Sequence, residues 1–175
     1  MRRIAILAGL FLSAAASADG GSGAPFRAHL IGYEEVPAVN SVAEGRFDAR
    51  LSRDGQSVSY TLTYSGLQAP VLMSHIHFAQ KSVNGSIIVW LCGTSGNFAG
   101  PAGTQQCPGT SGTISGTFTA ANVLAASTAT QQLAAGDFES LVDAMRAGIA
   151  YVNIHSTASP GGEIRGQLKP GSEND

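Results

Sequence analysis

The sequence predicts an all-β protein, an antiparallel β-sandwich or Greek-key barrel with one short crossover helix. Apolar and polar residues alternate with a period of two along most of the chain. Glycine-rich turns separate many short segments, and only one segment has helical spacing. Strict alternation is typical of strands with one packed and one polar face, so we expect about seven to nine strands.

The alternation is clearest in QSVSYTLTYSG (56–66), which places apolar residues on one face and serines and threonines on the other. The Asp54–Gly55 pair just before it has the residues of a hairpin turn. Further strands are predicted over 26–31, 47–51, Val71–Ala79, Ser86–Leu91, Thr113–Thr119, Ile149–Ser156 and Glu163–Leu168.

Helical spacing occurs between Phe138 and Met145, where apolar residues recur at i, i+3, i+4 and i+7. Asp137 can cap the start of this helix, and Gly148 can end it. We expect a short crossover helix whose apolar face packs against the strands.

The first residues have the three parts of a secretory signal peptide. Arg2 and Arg3 are followed by a short apolar run, Ile4–Leu12, and by the small residues Ala16–Ala18 of a cleavage site. We therefore expect a periplasmic or secreted protein. Its predicted parts are a signal peptide (1–18), a flexible lead-in (19–25), one domain (26–170) and a disordered tail (171–175).

The charge of the chain argues against nucleic acid as a partner. The chain has 10 Lys and Arg, 12 Asp and Glu, and a formal net charge of −2. Without a basic stripe, we expect no nucleic-acid partner. No apolar run after the signal peptide is long enough to span a bilayer.

The two cysteines, Cys92 and Cys107, flank a loop rich in Gly, Thr and Gln. In an oxidising compartment they most simply form one disulfide, which contributes about 3 kcal/mol in the chain-entropy model. The alternative is a thiolate metal site, but the pair lacks the close spacing of zinc-binding cysteines.

The stretch MSHIHF (73–78) contains two of the four histidines. Burial of Ile76 and Phe78, worth about 1.5–3 kcal/mol each, turns His75 and His77 to the outer face of a strand. Met73 shares that face. By the same parity, His155 and His29 also point outward from their strands, so we expect all four histidines to avoid the core.

An i, i+2 pair on a strand holds two imidazoles about 6–7 Å apart at Cα, which suits two bonds of about 2 Å to one metal ion. His155 is the candidate third ligand, and Met73 or His29 a candidate fourth. Imidazole suits copper, with zinc as the alternative, and the Met73 thioether would favour copper(I). An exposed His-x-His can equally be solvated polar surface.

The chain resembles the CHRD domain, a module named after chordin and also present in bacterial secreted proteins. The matching segments are 26–37, His75–Phe78, 85–89, Tyr151–Ser156 and Pro160–Leu168. The resemblance implies an antiparallel β-sandwich and brings no settled enzymatic activity.

The histidine pattern is also similar to the copper site of copper–zinc superoxide dismutase, with His75 and His77 as its His-x-His ligands and His155 as its late histidine. This chain has neither a histidine-rich zinc loop nor a bridging histidine, so the similarity supports only a single-metal site. Any turnover would then be a copper-dependent redox activity of this type.

The last matching segment, Pro160–Leu168, contains two residues that could orient a metal ligand without binding the metal themselves. A hairpin through 156–162 would place Glu163 opposite His155 and Arg165 opposite Asn153, with both charged side chains facing outward. Glu163 could then orient the imidazole of His155, or it could form a surface ion pair of about 0–1 kcal/mol. Glu34 and Glu35, which precede Pro37, are interpreted as part of a turn.

The sequence predicts two alternative functions, which belong to different classes. The first is a secreted or periplasmic metal-binding protein, with copper as the expected metal, for storage, delivery or redox protection. The second is an extracellular protein-interaction module without metal, which would use the same outer face. A hydrolase is disfavoured because the chain has no Gly-x-Ser-x-Gly elbow.

Overall fold

A computed structural model describes residues 23–171. The predicted signal peptide lies outside this range, as do residues 19–22 of the lead-in and 172–175 of the tail. Pro25, predicted in the lead-in, is the first residue of a strand, and its carbonyl accepts a hydrogen bond from the Gly171 N–H (2.9 Å). One residue of the predicted lead-in therefore belongs to the sheet, and the first residue of the predicted tail is hydrogen-bonded to it.

Nine strands form one antiparallel sheet in the order β5-β4-β7-β8-β1-β2-β3-β6, with β9 beside β1, and the sheet curls into a nearly closed barrel. This confirms the predicted all-β fold. The strands are β1 (Pro25–Ile31), β2 (Glu44–Leu51), β3 (Ser57–Ser65), β4 (Val71–Phe78), β5 (Ser86–Gly93), β6 (Gly112–Thr119), β7 (Ala150–Ser156), β8 (Ile164–Gln167) and β9 (Lys169–Pro170).

One face of each long strand packs into a single hydrophobic core, as the alternation predicts. The helix α1 (Phe138–Arg146) covers it with Leu141 and Met145, both fully buried. The Asp137 side chain accepts a hydrogen bond from the Ser140 N–H and so caps this helix. Within residues 23–171, no helix is long and apolar enough to cross a membrane.

The seam between the edge strands β5 and β6 is closed by the loop that joins them. The side-chain amide of Gln105 donates to the carbonyls of Leu91 on β5 (3.1 Å) and Ser115 on β6 (3.3 Å). Cys92 of β5 is bonded to Cys107 of the loop. The predicted disulfide is therefore confirmed, and it fixes the loop at this seam.

Strand β7 lies between β4 and β8, and all seven of its residues are buried. Ala150, Val152 and Ile154 belong to the core. The alternate residues lie on the outer face, which is covered by three loops, 32–43, 79–85 and 157–163. A second buried layer therefore lies outside the barrel, and it is polar.

We expect the double variant Cys92→Ala/Cys107→Ala to lose about 3 kcal/mol of unfolding free energy, because the disulfide closes a segment with a sequence separation of 15. Denaturant unfolding measures this loss. Wild-type protein with a reductant is the matched control and should lose a similar amount. Unchanged stability in both samples would contradict this contribution.

Candidate metal centre

Strand register brings the predicted site residues into one layer on the outer face. Directly paired residues of antiparallel strands lie on the same face of the sheet. Across β4, β7 and β8 these pairs are Met73–His155, His75–Asn153, His77–Tyr151 and Asn153–Arg165. The predicted pairing of Asn153 with Arg165 is therefore confirmed, and so is the proximity of His75, His77 and His155.

The predicted outward direction of the three histidines is correct, but the alternative that they form solvated polar surface is wrong. Their exposed fractions are 0% for His75, 7% for His77 and 6% for His155. The reason is that β4 and β7 are covered on both faces. Parity along a strand distinguishes its two faces, but it does not reveal that loops cover the outer one.

The three imidazole rings form a compact cluster. Ring centroids are 5.2 Å apart for His75 and His77, 4.9 Å for His75 and His155, and 6.4 Å for His77 and His155. One nitrogen from each ring lies within 4.8 Å of the others. Among the described residues, this is the group of His, Cys, Asp and Glu side chains that could hold a metal ion.

The spacing of the nearest two nitrogens matches one ion. Nδ1 of His75 lies 3.3 Å from Nε2 of His77. Two ligands with bonds of about 2.0–2.1 Å at a tetrahedral angle have donor atoms about 3.3 Å apart. A metal ion can therefore bind both nitrogens without a change in strand spacing, and the candidate nitrogen of His155 lies within 4.8 Å of them.

Backbone carbonyls fix which nitrogen is available on two of the rings. Nδ1 of His77 lies 2.9 Å from the carbonyl oxygen of Gly85, and Nδ1 of His155 lies 2.9 Å from that of Pro160. A carbonyl only accepts, so each Nδ1 carries the proton and each Nε2 keeps its lone pair. This is the arrangement of a metal-binding histidine oriented by a hydrogen bond from its other nitrogen.

Burial keeps the three rings neutral. Loss of solvent lowers the pKa of His77 to about 4 and lowers the pKa of His155. The pKa of His75 falls well below its usual value through burial and through the neighbouring His155 and His77. Neutral imidazole is the form that binds a metal, so none of the three rings has to lose a positive charge first at pH 7. His75 has to change tautomer, because its Nδ1 donates to the unprotonated Nε2 of His77, and its own Nε2, which has no partner, can take that proton.

Aromatic rings hold two of the imidazoles in place. The His77 ring stacks on Tyr151, with centroids 4.6 Å apart and planes 1° from parallel. The Arg165 guanidinium lies 3.4 Å from the centroid of the same tyrosine. His75 meets Trp90 edge to face at 4.5 Å. These contacts restrict rotation of the rings, which favours a preformed site.

A family model described as the CHRD domain matches residues 26–168. The chain belongs to the CHRD family. Comparison with curated proteins and with solved structures found no match. Membership accounts for the resemblance of the sequence segments, and the histidine cluster lies inside the matched region of this CHRD protein.

Glu163 has a different place from the one predicted. It is fully buried, and its carboxylate accepts hydrogen bonds from the Ser41 hydroxyl (2.7 Å), the Gln68 N–H (2.9 Å) and the Ser156 hydroxyl. It is therefore not a surface ion pair, and the Pro160 carbonyl, not Glu163, holds Nδ1 of His155. Glu163 ties two loops to the end of β7.

Arg165 is also buried rather than outward in solvent. Its guanidinium donates to the carbonyls of Gln80 (3.4 Å) and Val83 (2.8 Å) and to the side-chain oxygen of Asn84 (3.2 Å). These three residues belong to loop 79–85, which ends at Gly85, the hydrogen-bond partner of His77. Arg165 thus holds the loop that orients one imidazole.

Glu35 is a buried residue of the centre that sequence reasoning assigned only to a turn. Its neighbour Glu34 does end a 3-10 turn and pairs with Lys81 (2.9 Å). Burial raises the pKa of Glu35 to about 7, while the Arg165 charge, the Val36 backbone and the Asn153 side chain act to lower it. The sequence signal that could have indicated the burial of Glu35 is the turn that leads into Pro37, because this turn packs on β8.

The two candidate fourth ligands differ in position. His29 is exposed on β1, paired with Arg46 of β2, and is not a member of the cluster. Met73 is half-buried and pairs directly with His155. Met73 therefore remains a candidate, whereas the structure does not bring His29 to the three histidines.

In the metal-free protein, the unfolding free energy should fall as pH drops from about 6.5 to 4. The pKa of His77 is lower in the folded state, so the unfolded state binds protons first in this window. His77→Gln should have a shallower dependence, measured by denaturant unfolding at each pH. The exposed His29→Gln is the control. Identical slopes for wild type and His77→Gln would contradict burial of a neutral ring.

Glu163→Gln should lower the unfolding free energy by about 1–3 kcal/mol, because an amide nitrogen then faces buried donors. Thermal or denaturant unfolding measures the loss. Glu139→Gln, exposed on α1, is the matched control and should change little. A variant as stable as wild type would show that Glu163 does not hold the loops.

Proposed function

We propose that this CHRD protein binds one copper ion through His75, His77 and His155. The observation that carries the proposal is the set of three buried, neutral imidazoles whose nitrogens lie within 4.8 Å of one another. Two of them direct an unprotonated Nε2 inward because a backbone carbonyl takes the other nitrogen. A solvated polar surface would not bury three imidazoles in this way.

Copper is favoured over zinc by affinity and by the neighbouring sulfur. Imidazole binds both metals, and copper(II) has the highest affinity among the divalent first-row ions for a given nitrogen site. Met73 pairs directly with His155 on the same face, and a thioether is a soft ligand that suits copper(I). Zinc is the alternative metal.

The depth of the site favours storage, delivery or redox protection with small species. Each of the three clustered histidines is at most 7% exposed, so a large substrate could not reach a metal held by these rings. A small oxygen species could, and a copper-dependent redox reaction of the superoxide dismutase type is the turnover that this site would permit.

Export to the periplasm or beyond is part of the proposal. The Cys92–Cys107 disulfide fits an oxidising compartment. The predicted signal peptide would deliver the protein there, although residues 1–18 lie outside the described range. Free copper would then meet the protein after export.

Asn153 and Arg165 are proposed to act on the metal from outside its ligand set. Asn153 faces the rings of His75 and His77 closely enough to act on their pKa values. It raises both pKa values, whereas burial lowers them by more. Arg165 acts through Tyr151 and loop 79–85. Glu163 acts only at a distance, by holding the end of β7.

The alternative function, a protein-interaction module without metal, is disfavoured because its expected binding surface is buried. A partner would need an exposed outer face on β4 and β7, but loops cover both strands there. A partner would have to bind elsewhere, for instance at the exposed Tyr33 and Val42 of loop 32–43. A protein that takes up neither copper nor zinc would favour this alternative.

The test is a copper titration with a competing chelator, on protein without a histidine tag. Wild type should bind one equivalent. His77→Ala and His155→Ala should each weaken binding by more than the about 10–100-fold that is typical of an outer-sphere change. His29→Ala, exposed and outside the cluster, is the matched control and should bind like wild type.

If His77→Ala and His155→Ala both bind copper like wild type, the three-histidine centre is wrong. Met73→Leu separates the oxidation states. It should weaken binding of copper(I) more than of copper(II) if the thioether is a ligand, and it should weaken neither if it is not.

A further inference from the structure

Asn153 occupies the centre of the histidine cluster. It pairs across the strands with His75, lies diagonal to His77, and is two residues from His155 on the same face of β7. Its side chain is 3% exposed, and Oδ1 has no hydrogen-bond partner among residues 23–171. A buried acceptor without a donor destabilises the protein, so a ligand that donates a hydrogen bond is favoured at this position.

A second acceptor of the same kind lies beside it. The Glu35 carboxyl group is 6% exposed, faces the Asn153 side chain, and has an Oε1 without a partner in the described part of the chain. The carboxyl group lies against Gly162, where a Cβ would be 2.5 Å from this Oε1 and would displace it. Gly162 also has a φ of +127°, which favours glycine.

Three histidine ligands leave a coordination position for another molecule. Catalytic zinc centres with three protein ligands hold water or a substrate in the fourth position, and a copper ion on the same three histidines has the same opening. A metal-bound water has two O–H groups to donate, and Asn153 Oδ1 and Glu35 Oε1 offer two acceptors. A carboxyl group can also donate when protonated, so Glu35 can bond to an anion in the same place.

Charge near the centre favours an anion. Arg165 pairs with Asn153 on the side away from His75, and it is 1% exposed. Its hydrogen bonds go to two backbone carbonyls and one side-chain amide oxygen, which are neutral acceptors. Its charge also interacts with the carboxyl groups of Glu35 and Glu34, so it is available to an anion when Glu35 is protonated. In a buried environment such a charge stabilises a nearby anion more than it would in water.

We propose that the metal carries an exchangeable oxygen ligand besides its protein ligands, a water molecule held by Asn153 and Glu35, which a small anion can replace. This inference rests on the proposed copper centre. The exchange is a simple substitution in which water leaves as the anion binds. The anions that fit are those of two or three atoms, the class to which superoxide and azide belong.

The experiment uses wild-type protein loaded with one equivalent of copper(II), with the copper content verified by elemental analysis. Pulsed electron paramagnetic resonance in H2O and D2O detects exchangeable protons of a coordinated water. Titration with azide then follows the charge-transfer absorption and the change in the copper signal. We expect the proton signal in the loaded protein, its loss with azide, and saturation at one azide per copper.

Variants test the two partners. Asn153→Leu removes the acceptor at similar volume and should weaken azide binding about 10-fold or more. Glu35→Gln keeps the shape and should have a smaller effect in the same direction. Asn97→Leu and Glu139→Gln, both exposed, are the matched controls and should bind azide like wild type. If Asn153→Leu does not fold, the proton measurement on wild type and the Glu35→Gln titration still decide.

Loaded wild type without exchangeable protons at copper, or without any response to azide, would overturn this inference and leave the copper centre intact. Equal azide affinity in wild type, Asn153→Leu and Glu35→Gln would overturn the roles of both residues. Wild type that retains no copper would overturn the proposed function itself, and this inference with it.

Discussion

All seven residues of β7 are buried, so side chains on both faces of this strand must find partners inside the protein. On the inner face these partners are the apolar residues of the barrel. On the outer face, Tyr151, Asn153 and His155 meet β4, β8 and three loops. Desolvation there keeps the imidazoles uncharged, and the carbonyls of Gly85 and Pro160 set their orientation.

The segments that mark the CHRD family converge on this second layer. The turn 32–35 brings Glu35 against Gly162 of the β7–β8 hairpin, and Asn84 of loop 79–85 donates to the Val36 carbonyl (3.1 Å). Arg165 joins the same loop to β8. These contacts close loops over the polar side chains of the second layer and give most of its buried polar groups a hydrogen-bond partner.

Local pattern predicted the strands, the helix at Phe138 and the outward direction of the histidines, because each depends on residue spacing over short distances. The disulfide was predicted because the chain has two cysteines and the expected compartment is oxidising. The burial of His75 could not be predicted in this way, since it depends on loops that are distant in sequence. The same holds for the contact of Glu35 with Gly162 and for the true partners of Glu163. Trp90 and Tyr151 were missed because an aromatic residue in a strand usually signals core packing.

The most direct measurement of the centre is X-ray absorption at the copper edge of protein loaded with one equivalent. We expect nitrogen scatterers at about 2.0 Å with the multiple-scattering pattern of three imidazole rings. A shell with one imidazole or none, or one dominated by sulfur, would contradict a centre built from His75, His77 and His155.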